Sequence, residues 1–120
     1  MSQYFSDAEL RCPCCGEVQM DERFLAQLDA LRGALGHPIS INSAYRCDMH
    51  EAEVGGSGVN HPKGMAADIS FRYSEDYWKA VRVIPALGFT GMGLKIHGAF
   101  EGRYIHVDTT HNTFTVWTYS

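Results

Sequence analysis

The sequence lacks any long apolar run and any excess of basic side chains. No stretch of about 18 consecutive apolar residues occurs in the 120 residues, so no segment has the pattern of a membrane span. The 14 acidic and 10 basic side chains give a formal net charge of -4, whereas nucleic-acid-binding proteins usually carry a basic patch. We therefore expect no membrane insertion and no nucleic-acid partner.

The start of the sequence also lacks the features of a secretory signal peptide. Residues 1–7 contain neither a basic start nor an apolar stretch. We therefore expect synthesis in the cytoplasm. A substrate outside the cytoplasm would then require another route of delivery.

Cysteine is present but lacks the pattern of a well-formed metal knot. Cys12, Cys14 and Cys15 lie in one short stretch, and Cys47 stands alone after Arg46. A structural zinc knot normally uses two Cys pairs separated by a loop, and here the second pair is missing. A disulfide between the cluster and Cys47 is a second interpretation. Reduced thiols are the interpretation that we favour for a cytoplasmic product.

The composition predicts an ordinary folded domain. Hydrophobic residues make up 45% of the chain and charged residues 20%, which is typical of globular proteins. A chain of this length can bury enough surface to fold around one core. We expect a single domain over residues 1–120, in which residues 1–20 form an irregular lead-in with three of the cysteines. We also expect a monomer.

Hydrophobic periodicity predicts helices and strands in mixed order. One helix is predicted from an Asp21 N-cap to Gly36, a second from a Ser74 cap to Gly88, and a short one over 48–54. Alternation and enrichment in β-branched and aromatic residues predict strands over 39–43, 65–71, 90–94, 104–108 and 113–119. This order is typical of an α+β fold, with a largely antiparallel sheet packed against helices.

Three residues have the composition of a catalytic zinc site. His61 ends a glycine-rich loop, Asp68 lies within an apolar strand, and His106 lies in the strand over 104–108. Two imidazoles and one carboxylate leave a fourth position for water, as catalytic zinc sites do. A buried Asp also needs a compensating partner, which a metal would provide. A hydrogen-bonded trio without metal accounts for the same pattern, so both interpretations stay open on these residues alone.

Four segments carry a resemblance to a known family. They are SAYR at 43–46, VGG at 54–56, HPKGMAADI at 61–69 and YIHVD at 104–108. In this order and spacing they resemble the M15 family of zinc peptidases, and most closely its compact phage-associated branch. That family includes D-alanyl-D-alanine carboxypeptidases, dipeptidases and phage endolysins. The resemblance implies a Hedgehog/DD-peptidase-like fold from about Phe5 to the C-terminus.

The resemblance also implies roles for individual residues. His61, Asp68 and His106 match the zinc ligands of the family. Arg46 matches an arginine that contacts the substrate and the scissile carbonyl, where a fixed guanidinium stabilises the developing oxyanion. A surface salt bridge is the alternative for Arg46. The remaining histidines beside loops, among them His111, are expected to be exposed to solvent.

The proton acceptor departs from the family pattern. Larger members carry a Glu or His shortly before the last ligand, where this chain has Arg103 and Tyr104. Asp108 and Glu101 are the remaining carboxylates. Asp108 would share a strand face with His106, so we prefer it as general base, with Glu101 as the second candidate. The alternative for Asp108 is that it orients a zinc-bound histidine.

Together these expectations predict zinc-dependent hydrolysis of peptide bonds in bacterial peptidoglycan. The substrate would be a stem peptide or cross-bridge, cut by a D,D-carboxypeptidase or an endopeptidase with a water activated by zinc. The missing signal peptide fits a phage lysin released by a holin, or a component carried in a phage particle, better than a periplasmic enzyme, and it also fits a cytoplasmic dipeptidase. The alternative is a non-catalytic, zinc-containing domain that binds the cell wall or belongs to a virion, because the Hedgehog domain keeps zinc without evident peptidase activity.

Overall fold

A computed structural model describes residues 2–54 and 63–119, apart from the side chains of Asp48, His50 and Glu51. In this part of the chain the helices are α1 (Asp7–Leu10), α2 (Glu22–Leu35), α3 (Asp48–Glu53) and α4 (Ser74–Val83). The strands are β1 (Ile39–Ser43), β2 (Ala66–Phe71), β3 (Gly91–Lys95), β4 (Tyr104–Asp108) and β5 (Thr115–Thr118). Short 3-10 helices cover Ile84–Leu87 and Phe100–Gly102. None of the described helices has the length and apolar character needed to cross a membrane.

The five strands form one mixed sheet in the order β1-β2-β4-β3-β5. The pairs β1–β2, β2–β4 and β3–β4 are antiparallel, whereas β3 and β5 are parallel. The parallel pair arises because β4 is antiparallel to β3 and the chain reverses direction after β4. Strand β5 therefore has the same direction as β3, and it pairs with the edge of β3 that is opposite to β4. The α+β class is as predicted from the sequence, and the expectation of a largely antiparallel sheet holds for every pair except the last.

The two faces of the sheet differ in character because side chains alternate along each strand. One face joins the apolar core with α2 and α4, and it includes the fully buried side chains of Ile69, Ile105 and Val107. The intervening residues Asp68 and His106 lie on the opposite face. The core face fixes the strands, and the opposite face is left to carry polar groups.

Helix α2 begins and ends where the sequence predicts. The Asp21 carboxylate accepts a hydrogen bond from the backbone N–H of Phe24 at 2.9 Å, which satisfies one of the unpaired donors of the first turn. Gly36 ends the helix with a φ of 74°, a left-handed conformation that glycine adopts without a Cβ penalty. The leucines at helical spacing, Leu28 and Leu31 among them, are fully buried.

Helix α4 differs from its prediction at both ends. Ser74 is the first helical residue rather than the cap; Tyr73 is the N-cap and makes no side-chain capping bond. The α-helix ends at Val83 and continues as a 3-10 helix, because Pro85 lacks the N–H that the α-helical ladder needs. Gly88, with a φ of 90°, then ends the whole segment as predicted.

The lead-in contains a helical turn that was not predicted. Residues Asp7–Leu10 form α1, in which the Ser6 hydroxyl accepts from the backbone N–H of Glu9 and the Glu9 carboxylate accepts from the backbone N–H of Ser6. This reciprocal pair is a capping box, whose Ser-x-x-Glu signature is present in the sequence. Leu10 is buried and anchors the turn to the core.

Candidate active site

Two of the three predicted metal ligands face each other across the centre of the sheet. Asp68 of β2 pairs with His106 of β4 in the antiparallel register, so both side chains lie on the same face. Their atoms Oδ1 and Nδ1 are 2.9 Å apart. The third predicted ligand, His61, lies outside the described residues.

The second ring nitrogen of His106 is held by a second carboxylate. Its Nε2 lies 2.8 Å from Oδ2 of Asp108, and the His106 side chain is only 7% exposed. Burial alone would lower the pKa of His106, but the hydrogen bonds to Asp108 and Asp68 raise that pKa to about 9. In this geometry the His106 ring is held between two carboxylates.

Asp108 is fully buried, and both of its carboxylate oxygens are engaged. Oδ1 accepts hydrogen bonds from the backbone N–H and the hydroxyl of Thr110, at 3.0 and 3.1 Å, and lies 2.8 Å from Nδ1 of His111. Burial would raise the pKa of Asp108, but the hydrogen bonds from His106 and Thr110 lower it to about 2. This environment suits a carboxylate that orients His106, which is the alternative that the sequence left open.

Arg46 reaches the same face of the sheet from the segment after β1. An irregularity in β1 aligns Ser43 with Asp68, and the Arg46 guanidinium donates from Nε to the Ser43 hydroxyl at 2.9 Å. Its Nη2 donates to Oδ2 of Asp68 at 3.0 Å, and both side chains of this pair are about 15% exposed. Arg46 therefore forms a largely buried ion pair, and it holds one oxygen of Asp68 while the other faces His106.

Two glycines on β3 make room for the side chains of its neighbours. A Cβ at Gly91 would overlap the Asp108 carboxylate and come within 2.6 Å of Nδ1 of His111. A Cβ at Gly93 would come within 2.5 Å of Nε1 of Trp117, whose ring centre lies 5.5 Å from that of His111. The absence of side chains on this stretch of β3 thus lets Asp108, His111 and Trp117 lie across the strand.

Two tyrosines line the site on the side of Asp68 and Arg46. The rings of Tyr104 and Tyr119 are 5.3 Å apart between centroids. Burial raises the pKa of Tyr104, and it raises the pKa of Tyr119 to about 12, with the Asp68 charge adding to both effects. Both phenols are therefore protonated at neutral pH and can donate hydrogen bonds into the site.

Two other sequence expectations have different outcomes. The expectation that His111 is simply exposed is wrong, because its ring binds Asp108 and its side chain is 31% exposed. The spacing Asp108-x-x-His111 directly after a strand was the signal that could have revealed this contact. Glu101 lies in the 3-10 helix before β4, where its side chain is exposed.

A face-to-face carboxylate and imidazole, backed by a further carboxylate, form the kind of donor set that metal-dependent hydrolases use. The chain belongs to the peptidase M15 family, whose family model matches residues 3–108. The matched range includes Arg46, Asp68, His106 and Asp108. Membership supports peptidase activity, and M15 peptidases are generally zinc-dependent. No curated protein sequence matches the chain closely enough to count as a relative.

Proposed function

We propose that the protein is a zinc-dependent peptidase that hydrolyses bonds in peptidoglycan stem peptides or cross-bridges. It would act as a D,D-carboxypeptidase or an endopeptidase, and it would reach the wall as a phage lysin or a virion component. The observation that carries the peptidase proposal is the contact of 2.9 Å between Asp68 Oδ1 and His106 Nδ1, within a chain of the M15 family. The choice of peptidoglycan follows from the resemblance described above.

The chemistry of the donor set fits a zinc ion. A carboxylate oxygen and an imidazole nitrogen, which are both ordinary zinc ligands, face each other at 2.9 Å from adjacent strands. His61 is proposed as the third ligand on sequence grounds. When bound there, zinc supplies a Lewis acid that polarises a carbonyl and activates water.

The other residues of the site have positioning and binding roles in this proposal. Asp108 fixes the orientation of the His106 ring, so that Nδ1 is directed at Asp68. Arg46 fixes the Asp68 carboxylate and carries a positive charge close to where the substrate carbonyl would lie. The hydroxyl groups of Tyr104 and Tyr119 add neutral donors on the same side.

Asp108 and Glu101 stay the two candidates for the proton acceptor. The contacts of Asp108 favour a positioning role, so Glu101, on the turn directly before β4, is the candidate to test first. We expect Glu101→Gln to lower kcat by about 10²- to 10⁴-fold, the usual contribution of a general base. Zinc content should not change, because Glu101 lies on an exposed turn outside the donor set. Turnover on purified peptidoglycan and metal content are measured together, with Glu75→Gln on α4 as the matched exposed control. Unchanged turnover would remove Glu101 from the mechanism.

The non-catalytic alternative remains distinct in its consequences. A zinc-containing domain that only binds the wall or belongs to a virion would keep the donor set without hydrolysing peptide bonds. It would sediment with purified peptidoglycan and release no amino groups. The two hypotheses differ in whether the site has a proton acceptor. Asp108 is held by His106 and His111, so the test of a proton acceptor falls on the other candidate carboxylate.

The proposed function is tested by release of new amino groups from purified peptidoglycan, with and without a chelator. We expect release that stops on chelation and returns when zinc is added back, because the Lewis acid is removed and restored. Metal analysis of the same samples should show that the chelator removes zinc. Release that continues in fully zinc-free protein would contradict zinc dependence. Zinc without release would favour the non-catalytic alternative.

A further inference from the structure

A second group of metal-ligating side chains involves the cysteines of the lead-in. The sulfur atoms of Cys12, Cys15 and Cys47 all lie within 4.8 Å of one another. Cys12 is fully buried, Cys15 is exposed, and Cys47 is intermediate, and none of the three forms a disulfide within the described part of the chain. Cys12 and Cys47 are 35 positions apart in the sequence, so it is the tertiary fold that brings their sulfur atoms together.

The distances suit a shared ion better than a disulfide. The sulfur atoms of Cys12 and Cys47 are 3.7 Å apart. A disulfide requires about 2.05 Å. In a tetrahedral zinc site with Zn–S bonds of about 2.3 Å, the sulfur atoms lie about 3.8 Å apart. The separation in the structure is therefore close to the edge of a zinc–thiolate tetrahedron.

The backbone around Cys12 is arranged as a compact turn that exposes a C-x-x-C pair to Cys47. The N–H of Cys12 donates to the carbonyl of Glu17, and the N–H of Gly16 donates to the carbonyl of Cys12, both at 2.8 Å. Gly16 has a φ of 76°, which closes the turn in a conformation that glycine favours. The N–H of Cys47 also points at the Cys12 sulfur, with a nitrogen–sulfur distance of 3.5 Å.

We propose that Cys12, Cys15 and Cys47 bind a structural zinc ion as thiolates, at a site separate from the candidate active site. Thiolate sulfur is a soft ligand that selects zinc over magnesium or calcium, and a fourth ligand completes the tetrahedron. This assignment differs from the sequence interpretation, which favoured plain thiols because a second Cys pair is missing. The fold brings the single Cys47 sulfur to those of Cys12 and Cys15, so three thiolate ligands meet without a second pair.

The ion would tie the lead-in to the segment that carries Arg46. Cys47 directly follows Arg46, whose guanidinium binds Asp68. The N–H of Tyr45 also donates to the carbonyl of Leu10 at 3.1 Å, so the two segments already meet through the backbone. Closing the loop between Cys12 and Cys47 through a metal restricts the unfolded chain and adds binding free energy to folding.

The test uses Co²⁺ as the probe on the full-length, metal-free and reduced protein. Thiolate ligands give cobalt a strong sulfur-to-metal charge-transfer absorption, which a site of histidine and carboxylate ligands does not produce. We expect this absorption in the wild type and equally in Asp68→Ala, because that variant removes no sulfur ligand. The result is therefore independent of whether the protein hydrolyses peptidoglycan.

Cys15→Ser is compared with Glu17→Gln, an exposed change in the same turn that removes no sulfur. Cys15→Ser should weaken cobalt binding at the thiolate site more than about 10-fold, whereas Glu17→Gln should keep the absorption. Circular dichroism verifies that both variants fold. Absence of the absorption in the reduced wild type, or its persistence at full strength in Cys15→Ser, would overturn the proposal. A Cys12–Cys47 disulfide that persists in the purified protein would overturn it as well.

Discussion

Asp68→Ala should abolish tight zinc binding at the candidate active site and remove peptidase activity with it. The substitution takes away a proposed metal ligand and the partner of both Arg46 and His106. Loss of a coordinating carboxylate costs more than the 10- to 100-fold loss typical of an outer contact, so we expect zinc affinity to fall by more than about 100-fold. Competition with a chromogenic chelator measures the affinity, and amino-group release measures the activity.

Ser70→Ala is the matched control for this prediction. Ser70 lies two positions after Asp68 on the same face of β2, and its hydroxyl donates to the Asn42 side chain at 2.9 Å. Its removal should leave zinc affinity and activity at wild-type levels. An Asp68→Ala protein that folds, keeps high-affinity zinc beyond any ion held by the cysteines and cleaves at the normal rate would show that Asp68 is not a ligand.

Asp108→Asn should separate the two roles that the sequence allowed for this carboxylate. If Asp108 positions His106, removal of its charge weakens zinc binding by about 10- to 100-fold, and saturating zinc restores most of the turnover. If Asp108 is the general base, zinc binding persists and kcat stays about 10²- to 10⁴-fold low at any zinc concentration. The complete burial of Asp108 and its contacts with His106 and His111 lead us to expect the first result.

The same substitution should also lower the thermal stability of the protein, and a control must separate that effect from zinc binding. Asp76 is a second buried aspartate, 4% exposed, and its carboxylate lies 2.8 Å from Nδ1 of His37. Because it lies on α4, which packs on the core face of the sheet, Asp76→Asn should reduce stability without changing zinc affinity. Equal losses of zinc affinity in both variants would refute a specific role for Asp108.

Much of the fold follows from local sequence patterns. The Asp21 cap, the leucine spacing and Gly36 define α2, alternation defines β1, and β-branched and aromatic residues define β4, because these signals depend only on neighbouring residues. The parallel placement of β5 beside β3 depends on which edge the chain reaches after β4, and no local pattern encodes that choice. Strand identity was therefore predictable where strand order was not.

The candidate site shows the same division. Asp68 and His106 could be predicted because their types, and their resemblance to a family motif, are visible in the sequence. The burial of Asp108 could not, because it depends on Gly91 leaving space on the neighbouring strand. The contact between Asp108 and His111 had only the local signal of their spacing. The cluster of Cys12 with Cys47 depends likewise on a tertiary approach across 35 positions.

The central pairing of β2 with β4 has a consequence for how the protein folds. Asp68 and His106 are 38 positions apart and meet only when these two strands have joined. Pairings between distant positions slow folding, because the entropy of loop closure must be overcome before any contact forms. The unfolded chain offers zinc no assembled pair, so the ion binds the native state selectively, and at 100 times its Kd it shifts the folding equilibrium by about 2.7 kcal/mol. The ion proposed for catalysis would thereby also protect the protein against unfolding and proteolysis.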